Sequence, residues 1–167
     1  MEYLQVFDEN KRMLDEKIER EKKLELPDKK YFMIILLFIQ NEKGELLVQK
    51  TSVNRNSELA FTGGHVTFGD DGFKTVIKEA KEELGIDLLP DEVKLIDTLC
   101  IRSAYVEIYY TNKKINIDDL KLQKEEVDYV KWYSIDQINE FIEDNNFRKG
   151  HIVPYKTLLK HLNNIKD

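Results

Sequence analysis

The most pronounced apolar run in the chain is "YFMIILLFIQ", at residues 31–40. It contains aromatic and β-branched residues without polar alternation, a pattern typical of a strand that is buried on both faces. The turn-forming stretch "NEKGE" follows, and "LLVQK" returns to apolar residues, which predicts a β-hairpin. The polar segment "TSVNRNSE" then predicts a loop, and "LAFT" predicts a short strand that leads into Gly63.

A helical pattern follows this strand. Asp71 is a suitable N-cap, and Gly85 lies where a left-handed C-terminal cap belongs. Between them the apolar positions recur at helical spacing, namely Phe73, Val76, Ile77, Ala80 and Leu84. The spacing therefore predicts a helix from about residue 72 to residue 84.

The remaining segments predict further strands and two more helices. "VKLIDTLCI", "AYVEIYY" and "VDYVKWYSI" are typical strands, and "SIDQ" has the spacing of a capping box that starts a helix through about Ile142. Pro154 suits the first turn of a last helix. Near the N-terminus "EYLQVF" predicts a strand, whereas "RMLDEKIERE" fits a strand or a helix. The whole pattern indicates a mixed sheet with helices packed against it, an α/β or α+β domain.

Composition narrows the classes of function. The chain has 167 residues, 41% of them apolar and 35% charged, with a net charge of -6. A single domain with a core is expected. Duplex nucleic acid is disfavoured as a partner because no broad basic surface is implied, but a small phosphorylated ligand is compatible with this charge. The apolar runs are too short to span a membrane, which takes about 20 residues.

Two further features concern the location of the protein. Cys100 is the single cysteine, so an intramolecular disulfide is excluded, which fits a reducing compartment. The N-terminal "MEYLQVFDEN" lacks the basic start and apolar core of a signal peptide. We therefore expect a cytoplasmic protein.

Three carboxylates lie close together on the predicted helix. At about 100° per residue, Glu79, Glu82 and Glu83 share one stripe beside the buried face. Like charges at this spacing repel one another. The stripe is therefore either a solvated acidic face balanced by neighbouring lysines or a site for a bound cation.

The spacing around these glutamates resembles the Nudix box, here residues 63–86. From Gly64, five residues lead to Asp70 and seven more lead to Lys78, which opens the sequence "KEAKEELGI". The family pattern has glutamate at the position of Asp70 and arginine at that of Lys78, so both differences keep the charge. Aspartate is shorter than glutamate and lysine lacks the bidentate fork of arginine, so a looser pair is expected.

The resemblance implies an α/β/α sandwich with a mixed sheet, in which the box forms a loop–helix–loop metal site. It implies binding of Mg²⁺ or Mn²⁺ by carboxylate oxygens, which hard divalent cations prefer. The residues that match the metal positions are Glu79, Glu82, Glu83 and the backbone of Gly63, with Glu82 and Glu79 as the catalytic pair. Four further residues of the motif would support its loop and helix rather than bind the metal, namely Gly64, Asp70, Lys78 and Gly85. In the family a further acid often lies outside the box, and Glu125 and Glu126 are the candidates here. The alternative is that these two glutamates are simply solvated loop residues.

The implied activity is hydrolysis of a diphosphate linkage in a nucleoside diphosphate joined to another group, with a small phosphorylated substrate. The alternative is a catalytically weak nucleotide-binding or regulatory domain of the same fold, since fold does not fix function. We expect one domain over residues 1–167, in which residues 1–26 form an N-terminal hairpin extension. The charged N-terminal segment and the tyrosine-rich strand could form a homodimer contact.

More weakly, the chain resembles the isopentenyl-diphosphate isomerase-like branch of the family. The isomerases use a cysteine ahead of the box, where this chain has none, so prenyl-diphosphate isomerisation is disfavoured. Cys100 lies in an apolar strand, and the default interpretation is a buried structural thiol. His65 is expected to be a turn or packing residue, while Arg55 and Arg102 either reach an anionic substrate or lie in solvent.

Overall fold

In the computed structural model of the protein, residues 2–21 and 24–166 are described. Within them nine strands and three α-helices follow one another along the chain. The strands are β1 Tyr3–Phe7, β2 Met13–Glu19, β3 Phe32–Ile39, β4 Leu46–Thr51, β5 Leu59–Ala60, β6 Thr62–His65, β7 Lys94–Ile101, β8 Ala104–Thr111 and β9 Val127–Tyr133. The helices are α1 Gly72–Glu79, α2 Ile135–Glu143 and α3 Ile152–Lys166.

The apolar run at residues 31–40 forms β3, which lies inside a four-stranded mixed sheet of order β6-β3-β8-β7. β3 runs parallel to β8 and antiparallel to β6. Its side chains alternate between two cores: Ile35 and Leu37 pack on the side of α1, and Leu36 and Phe38 pack on the side of α2 and α3. The predicted α/β/α sandwich with a mixed sheet is confirmed, and burial on both faces explains why the run lacks polar alternation.

The predicted hairpin between β3 and β4 is wrong. The chain does turn between them, and an isolated bridge joins Gln40 to Leu46. Beyond this bridge the two strands diverge, because β3 pairs with β6 and β8, while β4 joins a separate antiparallel sheet of order β5-β4-β9. Both edges of β3 are therefore already occupied. A turn signal between two apolar runs does not show whether the second run pairs with the first.

The N-terminal segment is an antiparallel hairpin of β1 and β2, so "RMLDEKIERE" forms a strand rather than a helix. The hairpin holds the loop that follows β6. The N–H of Gln5 donates to the carbonyl of Val66 at 3.1 Å, and its Oε1 accepts from the N–H of Gly69 at 2.9 Å. Because Gln5 is almost fully buried, these bonds fix the hairpin against the loop ahead of α1.

The two C-terminal helices begin as predicted. Ser134 and Gln137 form a reciprocal capping box at the start of α2, and Pro154 lies in the first turn of α3. Ile138 of α2, with Tyr155 and Leu158 of α3, is buried against the sheet. Among the described residues, no helix is long and apolar enough to cross a membrane.

Candidate active site

The three glutamates of the motif lie where one helix changes its winding. α1 begins as predicted, since the carboxylate of Asp71 accepts from the N–H of Lys74 at 2.8 Å. After Glu79 the chain widens into a π-helical turn over Ala80–Leu84, so the uniform spacing of 100° per residue predicted there is wrong. π-helical turns inside α-helices are frequent at functional sites. The turn ends at Gly85, whose φ of 72° favours glycine.

A cavity of about 180 Å³ lies beside this turn. Five carboxylates and two guanidinium groups face it, which gives a formal charge of −3 when all are ionised. Its lining residues are Glu2, Arg20, Arg55, Gly63, Gly64, His65, Glu79, Glu82, Glu83, Gln123 and Glu126. The structure therefore brings the motif glutamates and the predicted glycine turn together at one concave, acidic surface.

Glu83 is the most buried of these acids, with only 4% of its surface exposed. Its Oε2 is buried and has no hydrogen-bond partner among the described residues. Burial, followed by the charge of Glu79, raises the pKa of Glu83 to about 8. A buried carboxylate oxygen without a partner is costly, so some further ligand is expected to satisfy it.

Glu79 lies next to Glu83 and is half-buried. Burial, followed by the charge of Glu82, raises the pKa of Glu79 to about 7. The carboxyl groups of Glu79 and Glu83 are within hydrogen-bonding reach of one another, so a single proton can be shared between them. A cation that replaced this proton would relieve the repulsion between the two groups. Glu82 is exposed at the opening of the cavity.

Two glycines of β6 form the opposite wall, and each allows a close approach. A Cβ atom on Gly64 would lie 2.8 Å from Cδ and 2.9 Å from Oε1 of Glu79. A Cβ atom on Gly63 would lie 2.6 Å from the carbonyl oxygen of Ile35 and 2.6 Å from Cδ2 of Leu36. Gly64 thus leaves room for a site carboxylate, whereas Gly63 leaves room for the neighbouring strand.

The two positions that depart from the family pattern form a long ion pair. Lys78 Nζ lies 3.9 Å from Oδ2 of Asp70, and both side chains are partly exposed. Asp70 also accepts from the hydroxyl of Thr67 at 3.1 Å, which holds it within its own loop. A pair this long and this exposed contributes little to stability.

The loop before β9 carries one of the two further acids to the cavity. The N–H groups of Lys121 and Gln123 donate to the carbonyls of Leu84 and Glu83 at 3.1 and 2.9 Å. These bonds attach the loop to the end of the π-helical turn. As a result Glu126 lines the cavity, while Glu125 is exposed outside it.

Two arginines enter the site. Arg55, from the loop after β4, forms an ion pair with Glu126. Arg20 lies just after β2 in the N-terminal hairpin, and its Nη1 lies 2.8 Å from Oε2 of Glu2. The sequence made Arg55 and Arg102 equal candidates for contact with an anionic substrate. In the structure Arg102 is exposed in the β7–β8 turn. Arg20 was missed, and no local pattern indicates that the hairpin reaches this cavity.

His65, which follows the glycine turn, both packs inside the fold and lines the acidic cavity. His65 packs against the ring of Phe32, with ring centroids 5.9 Å apart, as expected of a packing residue. It also lines the acidic cavity. Burial, followed by the charge of Arg20, lowers the pKa of His65 to about 4, so the ring is neutral at physiological pH.

The expectation that Cys100 is buried is wrong. Its side chain is exposed because β7 is the outer strand of the mixed sheet, and its last residues lack cover. The thiol is absent from the lining of the acidic cavity. Since this is the only cysteine in the chain, the site has no thiol of the kind that the isomerases use.

The residues present fit a hard divalent cation. Among the described residues, no group of three or more His, Cys, Asp or Glu side chains is already arranged to hold a metal ion. Mg²⁺, however, commonly takes only one or two protein carboxylates and completes its coordination with water and substrate phosphate oxygens. The unpartnered Oε2 of Glu83, the adjacent Glu79 and the net negative lining meet that requirement.

Comparisons with known proteins identify the family to which the chain is related. The family model for the NUDIX domain matches residues 30–156. An uncharacterized Nudix hydrolase of Clostridium acetobutylicum is 28% identical over 171 residues, which covers 91% of this chain and 81% of that protein. A crystal structure from Deinococcus radiodurans superposes with a TM-score of 0.74 at 17% identity, covering 93% of this chain and 99% of that one.

A further solved structure is the NUDIX domain of Shewanella oneidensis NrtR complexed with ADP ribose. It is similar with a TM-score of 0.60 at 12% identity, and the match covers 79% of this chain and 88% of that one. At this identity the likeness concerns the fold. Nudix hydrolases generally use divalent metals, in keeping with the acidic cavity described above. The chain belongs to the Nudix family and is a hydrolase of the pyrophosphatase type.

Proposed function

We propose that the protein hydrolyses the diphosphate linkage of a nucleoside diphosphate joined to another group, and that it depends on Mg²⁺ or Mn²⁺. The observation that carries this proposal is the buried, unpartnered Oε2 of Glu83 inside a cavity lined by four other carboxylates. A permanently unsatisfied carboxylate oxygen would only destabilise the fold, so a cation that binds it during function explains its retention.

In this proposal Glu79 and Glu83 hold the metal, with the backbone of Gly63 as a further ligand. The metal, when bound, neutralises the diphosphate and lowers the pKa of water near it. Glu82 is exposed at the opening, where solvent enters, and it acts as a ligand or as the base that accepts a proton from water. Glu126 serves as the additional acid.

The diphosphate would enter beside the two arginines. Arg20 and Arg55 each have a glutamate partner at the rim, Glu2 and Glu126 respectively. Phosphate oxygens can replace these carboxylates as acceptors, because a guanidinium group binds either type of oxyanion with the same fork of N–H donors. The cavity thus offers carboxylates for the metal and guanidinium groups for the phosphates.

A phosphate-release screen tests the proposal directly. It covers nucleotide sugars, nucleoside di- and triphosphates, dinucleoside polyphosphates and prenyl diphosphates, each with Mg²⁺, with Mn²⁺ and with a chelator. We expect metal-dependent turnover of a nucleoside diphosphate derivative. If every class stays intact while Mg²⁺ still stabilises the fold, the proposed activity is wrong and a binding role is favoured instead.

The metal should stabilise the protein more at alkaline than at acidic pH. The pKa values of Glu79 and Glu83 are raised on folding, so the stability that the protonated groups contribute is complete below about pH 4.5. It is lost as the pH rises through about 7 to 8, where the two carboxylates become charged. Metal that binds the charged form restores stability there, by about 2.7 kcal/mol at a hundredfold excess over Kd.

Thermal unfolding at pH 6.0 and pH 8.5, with and without Mg²⁺, measures this effect. The shift in Tm caused by Mg²⁺ should be larger at pH 8.5. An equal shift at both pH values would show that the ion binds away from these two carboxylates.

Arg20→Gln should weaken substrate binding. We expect KM to rise about tenfold with a small change in kcat, because a charged hydrogen bond contributes about 1.5 to 3 kcal/mol. Arg12→Gln is the matched control, since Arg12 lies in the same hairpin but is exposed and outside the cavity. Equal KM values for the two variants would remove Arg20 from the site.

A further inference from the structure

A second cavity, of about 230 Å³, adjoins the acidic one. The two share a wall formed by Arg55, Gly63, Gly64 and His65. A molecule whose diphosphate lies over the glutamates can therefore extend past the glycine turn into this second cavity. Its volume suits a single ring system rather than a whole second nucleotide, because pockets for drug-sized ligands run from about 300 to 1,000 Å³.

The two cavities differ sharply in chemistry. Among the described residues that line the second cavity there is no aspartate or glutamate. Its apolar wall consists of Ile34, Leu36, Phe61 and Val106. Beside Arg55 and Arg148, this wall offers apolar surface that a flat, uncharged ring would bury.

Apart from His65, whose neutral ring has one donor and one acceptor, the polar side chains that line this cavity present hydrogen-bond donors. His151 accepts a hydrogen bond at Nδ1 from the N–H of Phe61, at 3.1 Å. Burial, followed by the charge of Arg148, lowers the pKa of His151 to about 3, so the ring is neutral. A neutral imidazole that accepts at Nδ1 carries its proton on Nε2, which makes Nε2 a donor.

Gln49 and Arg148 likewise present donors. Gln49 is buried, and its Oε1 accepts from the hydroxyl of Thr62 at 3.4 Å, which leaves the NH₂ group as a donor. The Nε of Arg148 donates to Oε2 of Glu58 at 2.7 Å, and its Nη2 donates to the carbonyl of Arg55 at 3.3 Å. Guanidinium groups have no acceptor at all.

We propose that the second cavity binds the nucleobase of the substrate and selects uracil and guanine, which carry a carbonyl oxygen (O4 or O6) at the position where cytosine and adenine carry an amino group. Carbonyl oxygens can accept from His151 Nε2 and the Gln49 amide. At that position the amino groups of adenine (N6) and cytosine (N4) are donors, so they would meet donors and leave both sides unpaired. The inference rests on the proposed function for its choice of a nucleotide ligand, and it adds which base is recognised.

The test has a kinetic arm and a binding arm. In the kinetic arm kcat/KM is compared for UDP-, GDP-, CDP- and ADP-glucose, which differ only in the base. In the binding arm UMP and AMP are titrated against the protein in EDTA and followed by NMR. We expect the uridine and guanosine compounds to be favoured about tenfold or more, and UMP to bind about tenfold more tightly than AMP.

The two arms separate the failure of this inference from the failure of the proposed function. If no compound in the phosphate-release screen is hydrolysed while UMP is still preferred over AMP, the proposed activity is overturned and the base selection is supported. Equal binding of UMP and AMP, binding of neither, or a preference for AMP would overturn the base selection, whatever is hydrolysed.

Gln49→Glu supplies the specificity control, since it replaces the donating NH₂ with an acceptor at nearly constant size. It should reduce the preference for uridine over adenosine about tenfold or more, with Gln40→Glu, outside both cavities, as the matched control. If Gln49→Glu does not fold, Gln49→Leu removes the donor without adding a charge and should also weaken the preference. An unchanged preference in a folded variant would overturn the role of Gln49.

Discussion

Glu83→Gln should lower metal-dependent hydrolysis by about a thousandfold while the protein stays folded. The substitution keeps the shape of the side chain but removes the negative charge that faces the cation. A bound metal supplies several kcal/mol of transition-state stabilisation, and each 1.36 kcal/mol corresponds to a factor of ten in rate. The loss should appear mainly in kcat, because the metal acts on the reacting bond.

The same variant should be at least as stable as the parent in EDTA at pH 8.5. Glu83 is 4% exposed and its pKa is raised to about 8, so its ionised form is unfavourable in the folded protein without metal. Glutamine removes that cost. The gain of Tm on addition of Mg²⁺ should also be lost, which distinguishes a metal ligand from a residue that merely packs.

Glu140→Gln is the matched control for charge, because Glu140 is an exposed glutamate on α2. It should leave both the rate and the metal-induced shift in Tm near those of the parent. Activity of Glu83→Gln within threefold of the parent would show that this carboxylate is not a metal ligand. Loss of activity together with loss of the fold would be visible in the unfolding curve.

The sequence predicted those parts of the fold that local patterns determine. The caps at Asp71, Ser134 and Gly85 lie where they were expected, because a cap depends on a few neighbouring residues. The apolar run of β3 was correctly predicted to be buried on both faces. The pairing of β3 and β4 was not predictable, because pairing depends on which distant strands, here β6 and β8, already occupy the edges.

The candidate site shows the same division. The glutamates and Gly64 could be identified as one motif from their spacing, since all of them lie within 23 consecutive residues. The winding of the last turn was missed, because the π-helical turn is not encoded in the apolar spacing of α1. Arg20, Arg148 and His151 come from the two ends of the chain, and only the packed fold places them beside the glycine turn.

Gly64→Ala should lower kcat by about a hundredfold with little effect on stability. The added Cβ would lie 2.8 Å from Cδ of Glu79, closer than real Cβ atoms approach other atoms, so the Glu79 carboxylate must move. That carboxylate ends a flexible side chain and can shift without disturbing the core. A displacement of about 1 Å at a catalytic group is enough to cost a factor of 10² in rate.

Gly63→Ala provides the contrast at the adjacent position. Here the added Cβ meets the backbone carbonyl of Ile35 at 2.6 Å, and a strand cannot move aside as a side chain does. We expect a loss of about 2 to 3 kcal/mol in the free energy of unfolding, typical of overpacking in a core. Urea unfolding and initial rates on both variants separate the two effects. If Gly64→Ala loses stability to the same extent as Gly63→Ala, the role of Gly64 is to pack β6 rather than to seat Glu79 in the site.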